Sequence, residues 1–389
     1  MRLFEALDSL GRSLDVRFRG WRPMLLFAGS LLFMTLTVAI LPRPRELPPT
    51  PSVALFESEP DIRVLLRTLR PHETEKINGS PLTFDRNEAR LGERTMSLPS
   101  LVRPGSNDSG IRVGEHTYPG VLELSLSGED LELINVVPLE TYLEGVIEAE
   151  MGLHFPDEAL MAQAICARSY AAVRMIARQE RNWHVGNTQA TQVFRGVTRN
   201  PSRSRSIVAR SRAAILTYNQ KPFEGLYSST CGGVSRSAEE AFGSSVPPPL
   251  QGGVTCNDCD DVSTYEWSAS CSESDLSRSL GTNATGIVRL EQSKSGRLVQ
   301  AIFATSRGER ALTGTRLKSL LGRSALSTWI TSLNLSGGRL RAEGRGFGHG
   351  VGLCQYGARG MARRGIPCED ILHHYYPQME IRRAWAESE

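Results

Sequence analysis

The chain has 389 residues, of which 40% are hydrophobic and 22% are charged, and its formal net charge is +3. This composition excludes an intrinsically disordered protein, and so small a charge over this length argues against nucleic acid as the main partner. The length allows one large hydrophobic core or two moderate ones.

The N-terminus predicts a membrane segment. Residues 1–23 carry five arginines against three acidic residues, and the 18 residues of 24–41 include no charge. Such a run is near the lower limit for a helix that spans a bilayer, and the arginine excess predicts that 1–23 are cytoplasmic, although Arg43 and Arg45 weaken the asymmetry. We therefore expect a single-pass anchor with everything beyond it extracytoplasmic. A cleaved signal peptide, which would make the protein secreted, and a buried core helix are the alternatives.

Residues 42–60 are rich in proline, serine and glutamate, which predicts an extended linker rather than a folded element. A folded domain is therefore expected from residue 61. It begins with a short apolar run at 62–66, and segments 121–126 and 131–136 around Gly128 predict a hairpin.

Two helices are predicted next. The sequence LETYLEGVIEAEM follows Pro138 and precedes Gly152, and an alanine-rich stretch runs over 156–179. Alanine on several faces lets neighbours approach closely, so the second helix is expected to be central and buried. Further strands are predicted at 287–290 and 298–304, on either side of an SKSGR turn. The fold class is therefore α+β: a mixed, β-rich domain with a central alanine-rich helix, in one or two lobes, after an N-terminal transmembrane helix.

Two segments carry residues suited to chemistry. Glu148 and Glu150 end the first predicted helix near His154, and a spacing of two residues turns their side chains to different sides, so they do not form an acid and base pair. Most glutamates at helix ends are solvated. The second segment, GRGFGHGVGLCQYGARGMA, lets a ligand or another chain approach its backbone, with His349 in its midst. A tight structural turn is the alternative, and the spacing does not fit a dinucleotide site.

Four ordered blocks then resemble a known family. They are the stretch 135–171 (NVVPLETYLEGVIEAEMGLHFPDEALMAQAICARSYA), QVFRGV at 192–197, YSSTCGGVSRSAEEAFG at 227–243 and GRGFGHGVGLCQYGARGMARRGIPCEDILHHYYP from residue 344. Together they resemble the SpoIID/LytB family of bacterial cell-wall proteins over residues 61–381. Four blocks in the expected order are much less probable by chance than any one of them.

The resemblance implies action on peptidoglycan. Some family members are lytic transglycosylases that cut the β-1,4 bond between N-acetylmuramic acid and N-acetylglucosamine in glycan strands without peptides. Others are described as enhancers of a cell-wall amidase. The chain is thus expected to be a lytic transglycosylase, with a glycan-binding amidase enhancer that is not an enzyme as the alternative. Glycan strands, the membrane and an amidase are its expected partners.

The resemblance also implies roles for individual residues. The glutamate of the family's Glu-Met pair corresponds to Glu150, which leaves Glu148 a supporting residue. One glutamate suffices for a lytic transglycosylase, because the sugar's own 6-hydroxyl replaces water as the nucleophile. A raised pKa of Glu150 is expected, with Met151 and Phe155 as apolar neighbours. The residues expected to bind substrate are Arg168, Tyr170, Gln192, His349 and Gln355.

Metal and cysteine patterns are less informative. Sporulation members often carry cysteine and histidine before the QVY-like block, in a region associated with zinc, but here only His184 is present. Cys256 and Cys259 form a CxxC motif with Cys271 nearby, which in an exported protein could bind zinc or be oxidised. The seven cysteines are an odd number, so at least one stays outside any intramolecular disulfide. We predict no required metal and no cofactor.

Overall fold

The computed structural model describes residues 47, 51–106, 108–243 and 246–386. These described residues form one compact unit. The predicted cytoplasmic segment 1–23 and anchor 24–41 lie outside the described residues. Within the described part, none of the helices combines the length and the apolar character that a membrane span requires.

The described residues form a strand-rich α+β structure, as the sequence predicted. The strands are β1 (Asp61–Leu69), β2 (Glu75–Ile77), β3 (Ser80–Asp85), β4 (Glu88–Leu91), β5 (Arg94–Ser97), β6 (Ser100–Val102), β7 (Ile111–Val113), β8 (His116–Tyr118), β9 (Val121–Ser127), β10 (Asp130–Pro138), β11 (Val185–Gly186), β12 (Ala214–Tyr218), β13 (Lys221–Pro222), β14 (Tyr227–Ser228), β15 (Glu266–Ser272), β16 (Ala284–Gln292), β17 (Leu298–Thr305), β18 (Gly308–Thr313), β19 (Ile330–Ser336), β20 (Arg339–Arg345), β21 (Leu353–Cys354) and β22 (Glu380–Arg383). The helices are α1 (Leu139–Met151), α2 (Asp157–Ala177), α3 (Pro201–Arg210), α4 (Ala238–Phe242), α5 (Glu273–Leu280), α6 (Gly314–Leu321), α7 (Gln355–Arg363) and α8 (Cys368–Tyr375), with short 3-10 turns at Pro248–Leu250 and Gly322–Ser324.

Helices α1 and α2 confirm the prediction for this part of the chain. Helix α1 begins directly after Pro138, and Gly152 ends it with a φ of 76°, a backbone conformation that favours glycine. Helix α2 begins after Pro156 and buries all of its alanines except Ala177 at its C-terminal end. The small side chains permit close contact: a Cβ added to Gly225 would lie 2.6 Å from Cα of Cys166 on α2. Helix α2 is thus the predicted buried centre, and neighbouring backbone packs directly on it.

The strands form several small sheets around these helices. The predicted hairpin is confirmed as β9 paired antiparallel with β10. It belongs to a five-stranded sheet of order β11-β1-β10-β9-β6, and a six-stranded sheet has the order β5-β4-β3-β2-β7-β8. Because β10 runs directly into α1, the hairpin fixes where α1 starts and therefore where its C-terminal end, with Glu150, is placed.

The buried residues of the compact unit form two hydrophobic clusters. The larger cluster holds α1, α2, the first sheets and the C-terminal helices. The smaller cluster is formed by residues between Trp267 and Ala342. It includes β16 and β17, which pair antiparallel and confirm the strands predicted at 287–290 and 298–304.

The end of the predicted linker is attached to the domain. The backbone N–H of Val53 donates to the carbonyl of Arg383 at 2.8 Å, and the rings of Phe56 and Trp385 lie 6.4 Å apart. The apolar side chain of Phe56 thus lies against buried Trp385, a contact that the proline-rich composition did not predict. The folded unit therefore begins earlier than residue 61.

Candidate active site

Glu150 lies at the C-terminal end of α1, partly buried at the edge of a cleft. Its Oε1 accepts a hydrogen bond from the backbone N–H of Val193 at 2.6 Å. Burial raises the pKa of Glu150, and hydrogen bonds from Val193 N–H and the Tyr227 hydroxyl offset part of that increase. The residue thus combines access to a cleft with a carboxyl group that binds its proton more tightly than usual.

The cleft has a volume of about 420 Å³ and opens to solvent. Its walls come from the end of α1, the segment 189–195, the segment 225–229 and the segment 347–349 with the start of α7. Met151 and Phe155 contribute the apolar surface expected near Glu150, and both are almost completely buried. Among the described residues that line the cleft, Glu150 is the only carboxylate, whereas Arg195 and Lys318 are cationic.

The glycine-rich segment is packed tightly against its neighbours. Gly348, Gly350 and Gly352 all have positive φ, at 100°, 74° and 68°. A Cβ on Gly350 would collide with the guanidinium of Arg297, and one on Gly352 would collide with the carbonyl of Leu226. The glycines are therefore required by packing and backbone conformation. That packing places His349 in the lining of the cleft. The glycine-rich segment is therefore both a tight structural turn and part of the site, two interpretations that the sequence left as alternatives.

His349 is held as a neutral imidazole. Its Nδ1 accepts from the backbone N–H of Val351 at 3.0 Å, and the ring donates to the carbonyl of Tyr227. Burial, together with the positive charges of Arg297 and Arg236, lowers the pKa of His349 to about 4. At neutral pH the residue can contribute shape and hydrogen bonding but no positive charge.

The structure brings Glu150, Tyr170, His349 and Gln355 together around the cleft. Arg168 and Gln192, which were also predicted to bind substrate, are completely buried and do not line it. Arg168 forms an ion pair with Glu140, with Nη2 2.6 Å from Oε2, and donates to the Ala214 carbonyl at 3.0 Å. A direct contact between Arg168 and substrate is not available in this arrangement, because its donors are used inside the core.

Gln192 acts behind the cleft instead of in it. Its Oε1 accepts from the hydroxyl of Tyr142 at 3.1 Å, and its Nε2 donates to the hydroxyl of Tyr227 and to the carbonyl of Ala167, each at 3.2 Å. Since the Tyr227 hydroxyl in turn bonds Glu150, Gln192 positions the residue that holds the carboxylate. The sequence prediction that Gln192 binds substrate is therefore wrong: the residue is buried and does not line the cleft, and it acts by positioning Tyr227.

Glu148 faces a different pocket from Glu150, as the helical spacing predicted. This second pocket is lined by residues such as Gly145, His154 and Arg195, and Glu150 does not contribute to it. Oε2 of Glu148 accepts from the backbone N–H of Arg199 at 2.8 Å. The two carboxylates therefore cannot act on one bond as a pair.

Sequence reasoning missed Tyr227, Val193 and Arg195 as parts of the site. All three lie in the blocks quoted for the family resemblance, at 227–243 and 192–197. Their position in these blocks was the one sequence feature that could have indicated their role in the site. Nothing local indicates that a tyrosine and a backbone N–H, each far from Glu150 along the chain, converge on its carboxylate.

A group that could hold a metal lies near the cleft. The Sγ atoms of Cys231, Cys256, Cys259 and Cys354 are buried and all lie within 4.8 Å of one another. Cys271, which the sequence suggested as a neighbour of the CxxC motif, belongs to the smaller hydrophobic cluster. His184 is likewise not part of this group: its Nδ1 accepts from the backbone N–H of Arg63 at 3.1 Å.

Comparisons with known proteins agree on the family. The SpoIID family, described as "Stage II sporulation protein", matches residues 127–218. Stage II sporulation protein D of Bacillus amyloliquefaciens is 31% identical over 264 residues, which cover 64% of this chain and 75% of that protein. An uncharacterized protein of Brachyspira hyodysenteriae is 31% identical over 275 residues, or 68% of this chain and 72% of that protein. The amidase enhancer of Bacillus subtilis is 25% identical over 284 residues, which cover 60% of this chain and 39% of that protein. The chain therefore belongs to the SpoIID/LytB family, as its four sequence blocks predicted.

Proposed function

We propose that this protein is a peptidoglycan lytic transglycosylase that cleaves the β-1,4 bond between N-acetylmuramic acid and N-acetylglucosamine in peptide-free glycan strands, with Glu150 as its single acid and base. The observation that carries the proposal is the combination of an open cleft, one carboxylate in its lining and the raised pKa of that carboxylate. Glycosidases that activate water normally require two carboxylates flanking the bond, and the described residues that line this cleft include one.

The reaction uses the Glu150 carboxyl group twice, first as an acid and then as a base. Protonated Glu150 donates its proton to the glycosidic oxygen while the bond from that oxygen to the anomeric carbon breaks. The resulting carboxylate accepts the proton of the muramic acid 6-hydroxyl, whose oxygen forms the new bond to the anomeric carbon. A 1,6-anhydro sugar leaves and Glu150 is protonated again. Burial favours the protonated starting form, and the hydrogen bonds from Val193 and Tyr227 stabilise the carboxylate between the two steps.

The other cleft residues suit a sugar ligand. Tyr170, His349 and Gln355 offer an aromatic face, a neutral imidazole and an amide, groups that contact rings, hydroxyls and acetamido groups. Arg195 and Lys318 place positive charge along the cleft. Muramic acid without peptide carries a free lactyl carboxylate, so this charge matches the proposed substrate.

The proposal includes the location. A chain that acts on peptidoglycan has to reach it, and the uncharged run at 24–41 with its arginine flank supplies a single-pass anchor that exports the domain. Cleavage of that segment would give a secreted protein with the same domain.

A binding protein without enzymatic activity is the second candidate. It is favoured by the similarity to the amidase enhancer of Bacillus subtilis. In that case the cleft would hold glycan strands and present them to a cell-wall amidase. A cleft used only for binding does not require an ionisable group at position 150, and this favours the enzyme.

The test is digestion of purified peptide-free glycan strands by the full-length chain, solubilised in a mild detergent because of the predicted anchor. Wild type, Glu150→Gln and the matched control Glu148→Gln are compared, and the products are resolved by mass spectrometry. Anhydro-muramyl products from wild type and Glu148→Gln, but not from Glu150→Gln, are expected. Strand binding without cleavage by any of the three proteins would reject the enzyme and favour the binding protein. Hydrated, non-anhydro ends would indicate a hydrolase and would contradict the proposed chemistry.

A further inference from the structure

Four buried cysteines from three separate segments of the chain meet beside residues that line the cleft. Strands β14 and β21 pair in parallel, with Ser228 opposite Cys354. The segment that follows β14 therefore places Cys231 next to Cys354. The CxxC loop joins them because the backbone N–H of Cys256 donates to the carbonyl of Gly233 at 2.8 Å. We call the side chains of Cys231, Cys256, Cys259 and Cys354 the cysteine cluster.

The distances between the sulfur atoms distinguish a disulfide, a single metal ion and an iron–sulfur cluster. Sγ of Cys231 and Sγ of Cys259 are 3.9 Å apart, whereas a disulfide requires roughly 2.05 Å. Four thiolates around one tetrahedral zinc, each at roughly 2.3 Å from the metal, are separated by about 3.8 Å. Iron–sulfur clusters bind their cysteines through different iron atoms, which spreads the sulfur atoms more widely than the 4.8 Å limit seen here. The geometry therefore fits a single tetrahedral ion.

The surroundings of the cysteine cluster suit bound thiolates. Sγ of Cys354 accepts from the backbone N–H groups of Cys231 at 3.3 Å and Gly357 at 3.4 Å. The hydroxyl of Tyr375 lies 3.1 Å from Sγ of Cys256. Such bonds to the ligand atoms orient a metal site and stabilise its negative charge. Gly357 is also required sterically, because a Cβ there would lie 2.5 Å from Sγ of Cys256.

A buried cation lies beside the cysteine cluster. Arg297 is 1% exposed, and its Nη2 donates to the carbonyl of Cys231 at 2.7 Å. Its Nε and Nη1 have no hydrogen-bond partner among the described residues. Burying a guanidinium is costly unless negative charge compensates it, and four thiolates around a divalent ion carry a net charge of −2. Arg297 already lies over the Trp329 ring, 5.0 Å from its centroid, and near the negative charge of Glu240, and a cysteine cluster that holds such an ion would add to this compensation.

We propose that the cysteine cluster binds one structural zinc ion. All four positions are cysteine sulfur and all are buried, so no coordination position is open for water or substrate, which is typical of structural zinc sites and not of catalytic ones. The ion ties together the segments that form the cleft wall: Cys231 follows Ser228 and Ser229, and Cys354 directly precedes Gln355. The site lies outside the residues around His184, so it is distinct from the zinc region that the family resemblance implied.

The metal is tested on the full-length chain, purified in detergent without chelator or added reductant. Zinc and iron are measured by elemental mass spectrometry for wild type, for Cys259→Ser and for the matched control Cys271→Ser, another buried cysteine outside the cysteine cluster. We expect about one zinc and no iron per chain in wild type and in Cys271→Ser, and loss of most of the zinc in Cys259→Ser. Zinc retained in Cys259→Ser, or iron as the bound metal, would overturn the proposal.

A second measurement does not depend on whether a variant folds. Reactive thiols of the wild type are counted after denaturation in the presence of a chelator. A zinc site predicts all seven cysteines as free thiols, because the thiolates were protected by the metal and not oxidised. Two disulfides within the cysteine cluster would leave three free thiols, since seven minus four is three, and would overturn the proposal. The result is independent of the proposed reaction, because zinc content is measured whether or not the chain cleaves glycan.

Discussion

The two ends of helix α1 use the same residue type in opposite ways. Near its N-terminus, Glu140 is 6% exposed and receives the guanidinium of Arg168 at 2.9 and 2.6 Å, as well as the backbone N–H of Ala213 at 3.0 Å. At its C-terminal end, Glu150 is held by Val193 N–H and the Tyr227 hydroxyl, and it forms no ion pair with any residue that the structure describes. One glutamate is locked into the core, and the other is free to exchange a proton with whatever occupies the cleft.

The difference shows that partners, rather than burial alone, decide what a buried carboxylate can do. A guanidinium that binds both oxygens stabilises the charged form and uses up its acceptor positions. Two single hydrogen bonds leave a carboxyl group whose pKa is set mainly by desolvation, which favours the protonated form. Substitutions at the two ends should therefore have different consequences, one for activity and the other for stability.

The largest effect is expected from Glu150→Gln on activity. Glutamine keeps the size and an acceptor oxygen for Val193 N–H but cannot donate the proton that the leaving oxygen needs. The rate of strand cleavage should fall by ~10³-fold, which corresponds to about 4 kcal/mol in the barrier. Initial rates of anhydro-product release measure this. A loss below tenfold would mean that Glu150 is not the proton donor.

A large effect on stability is expected at the other end, from Arg168→Met. Methionine leaves the Glu140 carboxylate buried without its cation, which costs on the order of 3–5 kcal/mol in the free energy of unfolding. Arg174→Met is the matched control on the same helix, because Arg174 is 38% exposed in its pair with Glu224. That change should cost less than about 1 kcal/mol. Denaturant unfolding followed by circular dichroism compares the two, and equal losses would contradict the assigned role of Arg168.

A smaller, pH-dependent effect follows from the raised pKa of Glu150. A carboxyl group whose pKa is higher in the folded state than in the unfolded state stabilises the fold below its ordinary pKa and loses that contribution as pH rises through the raised value. Glutamine does not ionise, so Glu150→Gln should gain stability relative to wild type as pH rises through that window. Cleavage by wild type should decline over the same range, since the protonated acid disappears. Unfolding curves and rates measured at matched pH values test both; a stability difference that does not change with pH would contradict the raised pKa.

The smallest effect is expected from Glu148→Gln. Its side chain faces the other pocket, and glutamine can still accept from the backbone N–H of Arg199. Cleavage rate should stay within roughly threefold of wild type, because no proton transfer depends on this residue. The same assay of anhydro-product release applies. A loss comparable to that of Glu150→Gln would show that the two carboxylates act together after all.

The sequence by itself determined the local elements and the family. Local patterns were sufficient to predict the elements, because they act through neighbouring residues: prolines before α1 and α2, Gly152 after α1, mixed apolar and polar segments around Gly128, and the alanines of α2. Glu150 was predicted because one block of the chain resembles the family signature there. The two-residue spacing was enough to separate Glu148 from it, because helical rotation is a local property.

Only the tertiary structure decided which polar residues reach the cleft and which are enclosed. Arg168 and Gln192 lie in the same family blocks as true lining residues, but contacts to Glu140, Tyr142 and Tyr227 bury them. The cysteine cluster likewise depends on a strand pair between segments more than a hundred residues apart. The physical reason is common to all of these cases: charge, burial and metal geometry depend on distances in space, and spacing along the chain does not specify those distances.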